Sequence, residues 1–327
     1  MKAIMATEFG GPDVLKYLDV DVPTIQKDEV LISVEGTSVN FADIKARKGN
    51  KGKGNLPFIP GIDVAGVVEK VGSNVDTVKE GQRVIAFPKQ GSYAEYAVAN
   101  QNLTFRIPDQ LDIETAIACP IVSFTSYQLL HDVARIESGE TVLIHAAAGG
   151  IGTTAIQLAK LLGAGKVIGT VGSEVKIPVA LEAGADHVIS HDHEDFAQKV
   201  NELTNGEGAN VILDSIAGWV SEKSVACLAP YGRLVHFGNA SGEVGHFQTK
   251  DLHASCRSVL GFSFGTTRKK RPHLIRPVAE KVIPYLANGQ LKINVGRSFS
   301  LAEAKEAQEW VESRQSTGKV ILKVRND

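Results

Sequence analysis

The chain has 327 residues, 43% of them hydrophobic and 22% charged, with a formal net charge of −2. That length allows two domains with cores of their own, and the near-neutral balance excludes a whole-protein field favouring nucleic acid or anionic membrane. No apolar run reaches the roughly 18–20 residues of a membrane span, and the opening MKAIMATEFGG lacks the parts of a signal peptide, so a cytoplasmic protein is expected.

From residue 1 to about 122, short β-branched runs alternate with Gly, Pro, Asn and Asp. Val30–Val34, Val64–Val71 and Arg83–Phe87 are such runs, and Gly10-Gly11-Pro12 and Gly72-Ser73-Asn74 are turn signals between them. The pattern predicts an all-β, barrel-like region. After residue 123 the rhythm becomes strand, helix, strand. Expected strands are Thr141–His145, Val167–Val171, His187–Ser190, Val211–Asp214 and Arg233–Phe237. Expected helices cover about 153–162, 176–183 and 194–203, with Pro178 tolerated early in its helix. Such alternation implies an α/β fold with a doubly wound parallel sheet. The stretch Leu301–Glu312 predicts a helix, and Lys319–Val324 a closing strand. The boundaries expected are 123–262 for the α/β domain and 1–122 with 263–327 for the β-rich one. Cys119, Cys227 and Cys256 are odd in number and unpaired by spacing, which fits buried side chains better than a disulfide framework or thiolate zinc.

The segment His145-Ala146-Ala147-Ala148-Gly149-Gly150-Ile151-Gly152 lies between an expected strand and helix, where a dinucleotide turn belongs. Ala148, Gly149, Gly150, Ile151 and Gly152 are its expected phosphate-contacting residues. Gly149 would let the backbone approach a pyrophosphate, and Gly152 would let the helix pack closely. Ala147 stands where the usual motif has its first glycine. The helix N-terminus adds N–H donors and a partial positive charge. NAD readers place a carboxylate at the end of the second strand, roughly 20 residues on. Here that strand runs into Gly172-Ser173, with Glu174 and Lys176 close behind. Room at Gly172, a donor at Ser173 and a charge at Lys176 suit an extra phosphate, so NADPH is the expected cofactor. The strand end Phe237-Gly238, with Asn239, Ala240 and Ser241 after it, is expected to line the cofactor, because ligands of open α/β sheets sit at that edge.

The run from His145 to Lys160 resembles the signature of quinone oxidoreductases, the zeta-crystallin-like, zinc-independent members of the medium-chain dehydrogenase/reductase superfamily. Ser38–Asp43, Leu56–Gly61, Gly91–Tyr96 and Gly184–Ile189 match the same family in order. The resemblance implies a GroES-like β-barrel catalytic domain, a Rossmann domain, an active site in the cleft between them, and a homodimer. It implies hydride transfer from NADPH to a small-molecule electron acceptor, a quinone or the activated C=C bond of an enone. Asn40 matches the family's active-site Asn, Asp43 the acidic residue after it, and Thr125 a threonine on the nicotinamide side. Gly172, Ser173 and Lys176 match the adenosine-phosphate pocket. Arg314 matches a C-terminal basic residue that reaches this phosphate, a role suited to a guanidinium fork. His191 stands where the pocket often carries a tyrosine. The stretch Ile44–Gly54 carries no aromatic residue, although the family often has them there.

Zinc-dependent relatives need a Cys and a His-Glu pair. This chain has Asn40 and Gly61-Ile62-Asp63 at those places, and neither Asn nor Ile replaces a thiolate or imidazole ligand. No metal is therefore expected. Without a Lewis acid the better chemistry is reduction of an electron-poor acceptor, helped by proximity and by hydrogen bonds to the developing anion. Asn40 is a candidate donor to the acceptor oxygen or the nicotinamide ribose. Tyr127 and Lys45 lie near family positions for a proton source, and solvent is the alternative. Lys45, Arg47, Lys48, Lys51 and Lys53 read as a solvated basic loop, with an electrostatic entry for a coenzyme A thioester as the alternative. Arg268–Arg271 reads as a surface turn before a helix near Pro272. It lacks the aromatic residues of a base-stacking surface, so nucleic acid is not an expected partner. An enoyl-thioester reductase, or a low-turnover NADPH-binding protein with an RNA-binding or structural role, are the competing readings.

Overall fold

The computed structural model describes residues 1–50 and 55–325. The chain forms two compact units, Met1–Phe124 with Arg268–Asp327, and Thr125–Thr267.

The first unit opens with β1 (Lys2–Ala6) and β2 (Leu15–Asp19), an antiparallel pair. Then come β3 (Glu29–Val39), helix α1 (Phe41–Arg47), β4 (Val64–Val71), β5 (Arg83–Ala86), β6 (Tyr96–Asn100), β7 (Thr104–Arg106) and helix α2 (Ile113–Tyr127). The second unit follows with β8 (Thr141–Ile144), α3 (Gly150–Leu161), β9 (Lys166–Val171), α4 (Ile177–Glu182), β10 (His187–Ser190), α5 (Phe196–Leu203), β11 (Ala209–Asp214), α6 (Trp219–Val225), β12 (Leu228–His236), α7 (Thr249–His253) and β13 (Ser258–Gly261). The chain continues through α8 (Phe264–Lys270) and returns to the first unit with α9 (Arg276–Ala287), β14 (Val295–Ser300), α10 (Ala304–Glu312) and β15 (Lys319–Lys323).

The second unit's sheet is wholly parallel, in the order β10-β9-β8-β11-β12-β13. Counted from β8, that is the 3-2-1-4-5-6 order of a dinucleotide-binding fold. Its central strands read as unbroken apolar runs because helices cover both faces. Leu143, Ile168, Ile189, Ile212 and Leu234 pack there with Phe196 and Val200 of α5, each burial contributing about 1.5–3 kcal/mol. Asp195 caps α5, accepting from the backbone N–H groups of Ala197 and Gln198. The helix expected over 176–183 is a 3-10 turn, Glu174–Lys176, leading into α4 with Pro178 in its first turn.

In the first unit the larger sheet runs β14-β15-β3-β4-β5-β7, with β6 also paired to β3. β3 is longer than its apolar pattern predicts. Its second half, Glu35–Val39, carries Gly36, Thr37 and Ser38, polar or small residues that nonetheless lie inside. Val30, Ile32, Val34, Val64, Val68, Val84, Ala97 and Ala99 fill the core beneath.

Two surface readings need correction. Lys45 and Arg47 belong to α1, not to a loop. Arg47 is fully buried and ion-paired with Glu312 of α10, which also takes Lys48. A buried guanidinium without a carboxylate would be far costlier than a solvated one. Lys51 and Lys53 lie outside the described residues. Arg268–Arg271 is not a surface turn either, since α8 extends through Lys270. The Arg268 guanidinium donates to the Ile62 carbonyl at 2.9 Å and lies over the Phe87 ring.

Candidate active site

The turn after β8 is built by backbone fit. Ala146 takes the left-handed conformation, φ 52°. The Ala147 N–H donates to the Thr170 carbonyl at 2.9 Å, tying the turn to β9. A Cβ at Gly169 of β9 would lie 2.7 Å from the Ala147 methyl. The missing first glycine of the motif is thus accommodated by a glycine on the neighbouring strand. A Cβ at Gly152 would lie 2.4 Å from the Ala146 carbonyl oxygen and 2.6 Å from the Ala147 carbonyl carbon. Gly149 is different. It is extended, and the nearest atom to a Cβ there is the Ala146 oxygen at 3.3 Å. A Cβ at Gly149 would thus press on one backbone oxygen, a milder clash than at Gly152. No side chain caps α3, so the first-turn N–H groups of Gly150, Ile151 and Gly152 are open to an anion.

Beside the turn, β9 ends at Val171, and Gly172 faces the His191 ring, 3.5 Å from where a Cβ would stand. Ser173 precedes the 3-10 turn that carries Lys176. Burial lowers the Lys176 pKa, and burial also lowers that of His191 against the pull of Asp192. The His191 ring meets Trp219 edge-on, with centroids 5.8 Å apart. Further along the strand ends, Phe237 N–H donates to Asp214, Ala240 N–H to Ser215 and Ser241 N–H to Ile216. Gly238 passes close to Ser215, where a Cβ would stand 2.8 Å from its carbonyl oxygen. These bonds bind the turns after β11 and β12 into one ledge. Thr125 is buried on α2, and its hydroxyl has no hydrogen-bond partner among the described residues; neither has the Gln128 amide oxygen one turn on.

Beneath the turn, His145 is fully enclosed. Its Nδ1 lies 2.8 Å from the Thr170 hydroxyl and its Nε2 2.9 Å from the Ser224 hydroxyl. Ser224 donates its proton to the Val220 carbonyl, so it accepts from Nε2–H, and Nδ1 accepts from Thr170. The ring is therefore neutral, and desolvation lowers its pKa, with Asp214 pulling the other way. In the unfolded chain the same imidazole protonates at its ordinary pKa. The unfolded state thus binds more protons as pH falls below the usual histidine range, and folded stability falls with it. Urea unfolding followed from pH 7 to 5 is expected to show this loss, and His145→Gln is expected to flatten it. A parent-like slope in that variant would remove His145 as the cause.

In the first unit, Asn40 closes β3 and caps α1, its backbone N–H donating to Asp43 Oδ2 at 2.9 Å. The Tyr93 hydroxyl donates to the same oxygen, and burial raises the Tyr93 pKa well above its ordinary value. The Asn40 side chain is turned inward. Its Nδ2 lies 3.1 Å from Asp63 Oδ1 and 3.2 Å from the Ser38 carbonyl, while its Oδ1 accepts from Lys319 Nζ at 2.8 Å. Ser38 donates to Asp63 as well, at 2.7 Å to Oδ2. The expectation of Asn40 as a donor to an acceptor oxygen is therefore corrected. Both its N–H bonds are spent inside the unit, so the amide can act outward only through Oδ1, which already accepts from Lys319 and faces the Asp43 backbone N–H of the capping box.

Asp63 and Lys319 are 0% and 4% exposed. Burial raises the Asp63 pKa and lowers that of Lys319, and in each case the opposite charge resists the shift. Arg268 joins them, attracted by both Asp63 and Asp43. Two buried carboxylates thus face one buried cation, Lys319, and one half-buried one, Arg268. Among the described residues no group of three or more His, Cys, Asp or Glu could hold a metal ion. Sequence reasoning singled out Asn40 and Asp43 but missed Lys319, Ser38, Tyr93 and Arg268. Arg314 follows α10 in the left-handed conformation, φ 60°.

Residues 26–109 match the family described as alcohol dehydrogenase GroES-like domain, and residues 150–280 that described as zinc-binding dehydrogenase. The chain is 36% identical to a quinone oxidoreductase of Pseudomonas aeruginosa, over 98% of this chain and 99% of that one. It is 33% identical to a quinone oxidoreductase of Homo sapiens, over 98% and 97%. Among solved structures, the Escherichia coli quinone oxidoreductase complexed with NADPH superposes with a TM-score of 0.93 at 32% identity, covering 99% of this chain and 100% of that one. A Pseudomonas syringae quinone oxidoreductase gives 0.92 at 34%, covering 99% of each.

Proposed function

The chain belongs to the zinc-independent quinone oxidoreductases of the medium-chain dehydrogenase/reductase superfamily, and from that premise we propose that it is an NADPH-dependent reductase of quinones or of the activated C=C bond of enones. The observation that carries the cofactor is the end of β9. Gly172 leaves space against His191, Ser173 offers a hydroxyl, and no carboxylate stands at the strand end to repel a ribose phosphate. Bound NADPH supplies a hydride to the electron-poor acceptor.

The rest falls to this chain's own groups. The first turn of α3 receives the pyrophosphate on open N–H groups, and Gly149 and Gly152 keep the approach clear of side chains. Lys176 and Arg314 neutralise the extra phosphate, with His191 as a further donor. Thr125 offers a buried hydroxyl to the nicotinamide side. Asn40 turns its Oδ1 to a donor on the cofactor or the acceptor, and Asp43 holds the Asn40 backbone. Solvent delivers the proton. A homodimer belongs to the same reading, supported by β13, an edge strand of the parallel sheet.

Metal-stripped protein is expected to oxidise NADPH faster than NADH with a simple para-quinone as acceptor. No turnover with either cofactor, and none with enones, would move the reading to an enoyl-thioester reductase or a binding protein. Changing Lys176 or Arg314 to Ala is expected to weaken NADPH binding about tenfold each, the loss of one charge-assisted hydrogen bond, while NADH binding stays as in the parent. Equal NADPH affinity in variant and parent, by fluorescence titration, would remove that residue from the phosphate site.

A further inference from the structure

We propose that Lys319 and Asp63 are positioning residues that lock the side-chain amide of Asn40 in one of its two orientations, so that it serves as a hydrogen-bond acceptor. This rests on the reading above that Asn40 touches the cofactor or the acceptor.

An asparagine amide can sit two ways, related by a half-turn that exchanges oxygen and nitrogen. Here the surroundings are polarised along the amide. An ammonium, Lys319 Nζ, lies 2.8 Å from Oδ1, and a carboxylate, Asp63 Oδ1, lies 3.1 Å from Nδ2. The Ser38 carbonyl stands beside the carboxylate, 3.2 Å from Nδ2. Turning the amide over would set its oxygen against a carboxylate and a carbonyl, and its N–H groups against an ammonium. Burial keeps water from screening this. Ser38 fixes the carboxylate through bonds to both oxygens, at 2.9 and 2.7 Å. Lys319 also donates to the Val39 carbonyl at 3.1 Å, so one ammonium holds both the backbone before Asn40 and its side chain. Asp43 fixes the backbone on the other side. Three elements far apart in sequence therefore converge on one amide, β3 with the start of α1, the segment before β4, and β15. Held this way the amide presents its oxygen, which suits a donor such as a ribose hydroxyl or a carboxamide N–H and not a developing anion.

The experiment uses the full chain with Lys319→Met, Asp63→Asn/Lys319→Met and Asn40→Ala. The double variant keeps the buried site near neutral if the single one does not fold. Turnover with para-quinone, NADPH affinity and the side-chain 15N–1H signals of Asn40, identified by their loss in Asn40→Ala, are measured for each. We expect turnover to fall about 100-fold in the lysine variants, the cost of an ångström-scale misplacement, with NADPH affinity weakened by no more than about tenfold, the loss of one hydrogen bond. The Asn40 amide protons, protected in the parent, are expected to exchange rapidly. Parent-like turnover in Asn40→Ala would overturn the reading of Asn40 itself. A slow Asn40→Ala beside lysine variants that keep parent turnover would overturn only the positioning pair. Slow lysine variants whose Asn40 amide stays protected would overturn it too.

Discussion

Asp63→Ala is expected to cost the first unit about 3–5 kcal/mol, the effect of removing one partner of a buried pair and stranding the other. Asp63 is completely enclosed and accepts from Ser38, Asn40 and the Ile121 backbone. Removing it leaves those donors unmatched and Lys319 without its nearest compensating charge in the interior. The loss is measurable because the chain has two tryptophans, Trp219 in the second unit and Trp310 in the first. In a Trp219→Phe background, urea unfolding followed by Trp310 emission reads the first unit alone. A midpoint equal to that of the parent would show that the buried charges do not depend on one another.

Gly152→Val is expected to have the second large effect, this time in the second unit. Even the first carbon of a side chain would stand 2.4 Å from the Ala146 oxygen and 2.6 Å from the Ala147 backbone. Neither neighbour is the end of a flexible side chain, so α3 must move as a body. Overpacking of this kind costs about 3 kcal/mol, read by Trp219 emission in a Trp310→Phe background. Displacement of α3 also turns the N–H groups of its first turn away from a pyrophosphate. Losing two charge-assisted bonds there would weaken NADPH about 100-fold or more. A stable variant with parent affinity would mean that the turn yields and that glycine at 152 serves neither packing nor binding.

Much of the second unit is legible in the sequence because its signals are local. Apolar runs such as Val167–Val171 sit between helical stretches, and the glycine turn lies at its proper place between strand and helix. The first unit is harder to read. The inner half of β3 carries Gly36, Thr37 and Ser38, which look like turn residues until their partners are known. Ser38 lies inside because Asp63 lies inside, and Asp63 because Lys319 does, with the half-buried Arg268 beside it. Nothing in the spacing of these residues announces the arrangement. Lys319 begins a short strand like any solvated lysine, and Arg268 sits in a basic run that reads as surface. Arg47 misleads in the same way, since the glycine- and lysine-rich context that suggests a loop says nothing of Glu312. Buried charges are placed by each other, across the fold, and periodicity registers none of that. The compensation of Ala147 by Gly169 is hidden for the same reason, because it joins a turn to the neighbouring strand and not two sequence neighbours.

The pairing of β15 with β3 also bears on how the protein comes into being. Lys319 bonds the residues at 39 and 40 across a separation of about 280 residues. At ribosomal speeds of about 5–20 residues per second, the segment bearing Asn40 and Asp63 waits tens of seconds for the strand that completes it. During that wait β3 lacks its β15 neighbour along residues 36–39, and an unpaired strand edge is prone to wrong partners. The second unit, with its contacts close in sequence and encoded entirely before β15, can form meanwhile. Nascent chains stalled short of residue 319 should therefore hold a formed nucleotide-binding unit beside an unfinished one, and chaperones should find their work at the exposed side of β3.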